Sequence, residues 1–120
     1  MEQYKLGEME QRFAEIIWDN EPVTSRTLTK LCEKEFGWKR TTTYTMLKRL
    51  CDREIFKNDG GMVIALMSKS EFKVAQGEKF ISEIFHGSLP QFLAAFSRHK
   101  KLSKRDINEI QKLIDEYKEE

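Results

Sequence analysis

The segment Trp38 to Phe56, WKRTTTYTMLKRLCDREIF, reads as one amphipathic helix whose two faces constrain the chain more than any other feature. At about 3.6 residues per turn, Thr43, Met46, Leu47 and Leu50 fall at i, i+3, i+4 and i+7 and form an apolar stripe facing a core. The opposite side carries Thr41, Thr42, Thr45, Lys48 and Arg49, with Tyr44 on its flank and Arg40 leading in. A face that meets only water favours Glu, Lys, Gln and Ala, because each β-branched Thr lowers helix propensity by some tenths of a kcal/mol. Four threonines within positions 41 to 45 need another reason. Hydroxyls can bond phosphates or base edges, threonine methyls can pack on thymine methyls, and Lys and Arg neutralise phosphates. The face therefore suits a DNA groove, with an ordinary solvated face as the plain alternative.

The flanking sequence supplies the rest of a DNA-binding fold. Ile55-Phe56-Lys57 and Met62-Val63-Ile64-Ala65-Leu66 are short β-prone runs around Asn58-Asp59-Gly60-Gly61, which signals a hairpin. A hairpin directly after a recognition-type helix is the wing of a winged helix-turn-helix, and Lys57 and Asn58 are its phosphate partners. Upstream, Gly7 to Trp18 places Met9, Phe13, Ile16 and Ile17 at helical spacing, and Glu21-Pro22 ends that element. Val23 offers one extended residue to the wing sheet. Thr24 or Ser25 can cap a second helix through Phe36 with Leu28, Leu31 and Cys32 inward, and Gly37 makes the turn.

After Leu66 three further helices are expected. Ser70 to Phe85 carries Phe72, Phe80, Ile81, Ile84 and Phe85, with Gly77 marking a bend or close packing. Ser88 can cap the next, after the restart at Gly87-Ser88-Leu89-Pro90, with Phe92, Leu93 and Phe96 on one face and the basic run Arg98-His99-Lys100-Lys101 at its end. Ser103 with Asp106 resembles a capping box that opens the last, where Ile107, Ile110, Leu113, Ile114 and Tyr117 recur at helical spacing. Three helices in about 50 residues bury little alone, so either a twofold partner covers them or they fold back on the N-terminal core. The expected fold is mainly α with a small β-hairpin: a winged helix-turn-helix domain over residues 1–68 and a helical dimerisation domain over 69–120.

Charge patterning fits selective binding to double-stranded DNA. The whole chain carries a formal charge of only +1, whereas Lys39 to Lys57 holds six Lys or Arg against Asp52 and Glu54, a local +4. Cys32 and Cys51 lack the CxxC or Cys/His clusters that hold zinc or copper, and are read as small buried residues in a reducing cytoplasm. His86 and His99 have no acidic or thiol neighbours. No catalytic constellation stands out, so neither an enzyme, a cofactor nor a metal is expected. No segment reads as membrane-inserted, and polar Met1 to Leu6 does not read as a signal peptide.

Three segments carry a family resemblance: LGEMEQRFAEIIW, WKRTTTYTMLKRL and the closing Leu102 to Ile110. Together they resemble the BlaI/MecI/CopY group of bacterial repressors, which includes the penicillinase and methicillin-resistance repressors. The resemblance implies a homodimeric repressor of the antibiotic-resistance type, each third helix entering a major groove of a dyad operator. It places Thr42, Thr45 and Arg49 on the group's Thr, Thr and Arg positions. It assigns the dimer interface to the C-terminal helices, here Phe80, Ile84, Leu89, Phe92, Leu93, Phe96, Ile107, Ile110, Leu113 and Ile114. This chain departs from many relatives at Lys39 (Ser or Ala), Tyr44 (Arg or another polar residue) and Glu54 (Gly). It ends EYKEE, without the cysteine-rich motif of the copper-responsive branch. In the penicillinase branch a membrane sensor protease pathway leads to cleavage of an Asn-Phe bond, and alignment by Leu-x-x-Phe puts Ala95-Phe96 there. The alternative in a different class is a winged-helix module that binds another protein through its Thr-rich face.

Overall fold

The computed structural model describes residues 3–119 and contains, in order, α1 (Glu8–Asn20), β1 (Val23–Thr24), α2 (Ser25–Phe36), α3 (Arg40–Asp52), β2 (Phe56–Asp59), β3 (Met62–Ala65), α4 (Lys69–Phe85), α5 (Leu89–His99) and α6 (Lys104–Lys118). The strands form one antiparallel sheet in the order β1-β3-β2, with Val23 opposite Val63 and Phe56 opposite Ala65. The fold is a winged helix followed by a helical segment, as the spacing predicts.

Local chemistry explains most boundaries. The Thr24 hydroxyl accepts the Thr27 N–H at 3.0 Å and caps α2, while Gly37 at φ 67° ends it in the left-handed region. Ser88 and Ser103 cap α5 and α6 through the Gln91 and Asp106 N–H groups. The expected helix over 38–56 is shorter, because Glu54 takes φ 62° and the Glu54 and Ile55 N–H groups return to the Cys51 and Leu50 carbonyls. This double closure stops α3 at Asp52 and frees Phe56 for the sheet. The hairpin turn is tighter than the four residues expected: Asn58 and Asp59 belong to β2, and Gly60 and Gly61 alone make the turn at φ 59° and 96°.

The core gathers one face of each N-terminal element. Phe13, Ile17, Leu28, Leu47, Leu50, Ile55, Phe56 and Val63 are buried together, and Thr43 is buried among them on the α3 stripe. Two compact units divide after Glu78 rather than at the 68/69 junction of the sequence reading. The reason is Phe72 of α4, fully buried against Trp18 and Tyr4 at ring separations of 5.4 and 6.0 Å. Gln76 adds a bond from Nε2 to the Tyr4 carbonyl. In the second unit Phe80, Phe85, Phe92 and Phe96 form a chain of ring contacts between 5.4 and 6.0 Å. A Cβ built on Gly77 meets nothing within 4 Å, so close packing does not explain that glycine.

Candidate nucleic-acid interface

Burial of Thr43, Met46, Leu47 and Leu50 fixes the rotation of α3 and leaves Arg40, Thr41, Thr42, Thr45, Lys48 and Arg49 exposed on its other side. Helix geometry alone brings these six onto one continuous surface. Lys39 provides no side-chain cap, so the first turn of α3 retains backbone N–H groups that suit a phosphate oxygen.

The side chains differ in what they already hold. Lys48 Nζ lies 3.1 Å from Asp52 Oδ2, but both side chains are mostly exposed, and such a pair contributes about 0–1 kcal/mol. It opens easily toward a stronger anion. Thr45 Oγ1 donates to the Thr41 carbonyl at 2.9 Å, which leaves its lone pairs as acceptors. The Arg49 guanidinium reaches Met46 Sδ at 3.7 Å, a weak contact that leaves most of its donors open. Tyr44 is only half exposed: its hydroxyl donates to Ser25 Oγ at 3.3 Å, and the Arg40 guanidinium lies 5.7 Å from its ring centroid. The Ser25 hydroxyl first, which can turn to donate to the phenolate, and Arg40 second favour the charged form and hold the phenol below its ordinary pKa.

On the wing, Lys57 and Asn58 are exposed on β2. Asn58 Oδ1 accepts the Gly61 N–H at 3.0 Å and braces the turn, leaving its amide N–H groups for an acceptor. A second brace, not found from the sequence, secures the far end of α3. Arg53 Nη1 donates to the Lys5 carbonyl at 2.7 Å, Nη2 lies 3.4 Å from Glu10 Oε2, and Gln3 Nε2 donates to the Arg53 carbonyl at 3.1 Å. The i+4 spacing of Asp52 from Lys48 is a signal that could have found that pair, which the charge count alone did not; Ser25, 19 residues from Tyr44, carries no such signal.

Burial pushes the Cys32 thiol up to about 11, against a smaller opposing effect of the Thr43 hydroxyl, and burial likewise raises Cys51. Both cysteines are free, and no group of three or more His, Cys, Asp or Glu suited to a metal occurs among the described residues. Among the same residues, no helix is long and apolar enough to cross a membrane.

A family model described as penicillinase repressor matches residues 6–116. The chain is also similar to the penicillinase repressor of Bacillus licheniformis, 21% identical over 118 residues that cover 95% of this chain and 92% of that protein. An exposed Thr- and Arg-bearing helix, a short wing and a match over nearly the whole length agree: the chain belongs to the penicillinase repressor family, whose members are DNA-binding regulators and not enzymes.

Proposed function

We propose that this transcriptional repressor of the β-lactamase regulator type binds a dyad DNA operator as a homodimer and acts in the cytoplasm by blocking promoter access. The exposed face of α3 carries the reading. Arg40, Thr41, Thr42, Thr45, Lys48 and Arg49 form the groove surface, with Tyr44 on its flank and Lys57 and Asn58 of the wing on flanking phosphates. A dimer supplies two such helices, whose half-sites lie about one helical turn or a multiple of it apart.

Unpartnered apolar surface supports the dimer. Phe80, Ile84, Leu89, Phe96, Ile107, Leu113 and Ile114 are each more than 40% exposed, which is a large apolar area for water to meet. Half-buried Phe92, Leu93 and Ile110 line an open groove of about 260 Å³ between α5 and α6, beside Phe96 and Leu113. A second copy covering these residues is the dimerisation interface of this reading.

Signal release belongs to the same proposal: a membrane sensor protease pathway leads to cleavage at Ala95-Phe96. That bond lies inside α5, so the helix must open before a protease can hold it extended. Protein that stays intact in β-lactam-treated cells while its target is derepressed would remove this part of the reading.

The primary test is sequencing of genomic fragments captured by the purified protein at about 150 mM salt, where non-specific binding is weak. Enrichment of an inverted repeat is the expected result. A folded dimer that enriches nothing would favour a winged-helix module that binds another protein.

A further inference from the structure

Tyr44 is engaged on the protein side of the recognition surface. Its hydroxyl donates to Ser25 Oγ, and Ser25, the first residue of α2, donates its backbone N–H to the Gly61 carbonyl at 2.7 Å. Gly61 is the second residue of the wing turn and is also held through its N–H by Asn58 Oδ1. A single line of hydrogen bonds therefore runs from α3 through the start of α2 to the wing. One turn before Tyr44, the Arg40 guanidinium lies over the same ring.

We propose that Tyr44 is a positioning residue for operator discrimination, setting α3 against the wing through Ser25 and Gly61 and orienting Arg40 with its ring. The inference rests on the operator-binding reading above and deepens it. A phenol proton engaged on Ser25 is not offered to a phosphate or a base. Removing the hydroxyl also changes no charge, and non-specific affinity follows the number of phosphates neutralised. Discrimination depends instead on where a few side chains meet base edges. Disruption of the line should thus appear in preference for the operator and not in the salt dependence.

The test compares Tyr44→Phe, Ser25→Ala and their combination on the captured operator and on a scrambled duplex across a salt series. Hydrogen exchange at the Ser25 amide is followed in the free protein. Thr24 remains the cap of α2, so Ser25→Ala leaves that helix start intact. Each single change is expected to lower operator affinity by about three- to tenfold, and the pair by no more than one of them. Scrambled-duplex affinity and the salt slope stay constant, Ser25→Thr retains the preference, and Tyr44→Phe speeds exchange at Ser25. Weaker operator binding in Tyr44→Phe with no change in Ser25→Ala would make the hydroxyl a direct DNA ligand and overturn the proposal. Additive effects, or no effect in either, would also overturn it. A wild-type protein with no operator preference would instead refute the operator-binding reading. The exchange rate then decides the coupling alone, and an unchanged rate in Tyr44→Phe rejects it.

Discussion

Ile55 closes α3 by donating its N–H to the Leu50 carbonyl at 3.2 Å, over a left-handed Glu54 at φ 62°. A side chain in that conformation costs about 1–2 kcal/mol, whereas glycine adopts it freely and loses about 0.5–1 kcal/mol of chain entropy on folding. Glu54→Gly is accordingly expected to stabilise the protein by about 0.5–1 kcal/mol in urea denaturation. A destabilised variant would mean that the Glu54 side chain holds something the closure does not need.

Replacing Lys48 and Arg49 together by Ala should abolish operator binding at moderate salt while leaving the fold and the oligomeric state unchanged. The lone Asp52 left behind is exposed and costs little. In the residual binding, the log-log salt slope should shrink by about 0.9 for each phosphate no longer neutralised. Retention of the wild-type slope would remove these two residues from the interface.

Leu113→Glu with Ile114→Glu places charge on two side chains of α6 that are 66% and 45% exposed in the single chain. The isolated chain should tolerate this and a dimer should not. Sedimentation velocity is expected to show a dimer for the wild type and a monomer for the variant. A dimeric variant would exclude this face of α6 from the interface.

Gly77 lies within α4 with open space where a Cβ would go. Gly77→Ala should raise stability by about 1 kcal/mol, read as a melting temperature higher by about 4 °C. A lower melting temperature would reveal a neighbour that approaches the helix there in solution.

Alkaline pH should weaken the fold through Cys32. Its thiol titrates near 9.0 ordinarily and near 11 when buried, so the folded state holds the proton more tightly. The associated stability is complete below pH 9 and is lost as pH rises toward 11. Wild type and Cys32→Ala, compared by urea denaturation from about pH 7 to 11, should converge as pH rises, and parallel curves would rule out this linkage.

Much of the fold was legible because helix spacing and capping are local. The Thr43, Met46, Leu47 and Leu50 stripe and the Ser88 and Ser103 caps all followed from neighbouring residues, and the extended Val23 after Pro22 offered itself to the wing sheet although its partner Val63 is distant in sequence. The exposed set on α3 came with them, since the buried stripe dictates which residues of that helix remain exposed. What escaped is non-local. Arg53 reaches back 48 residues to the Lys5 carbonyl, Trp18 Nε1 donates to the Met67 carbonyl at 3.0 Å, and Tyr44 meets Ser25 across 19 positions. The packing of Phe72 escaped for the same reason, because only the folded core brings it against Trp18.

The wing is tipped by two glycines and flanked by four-residue strands, each about 13 Å long. Its end offers main chain and almost no side-chain vocabulary. In the proposed operator complex, recognition of sequence is concentrated in a few positions of α3, so descendants of this repressor could acquire new targets by exchanging single residues on one helix. The scaffold beneath would need no rebuilding, because the residues that hold it together face the other way.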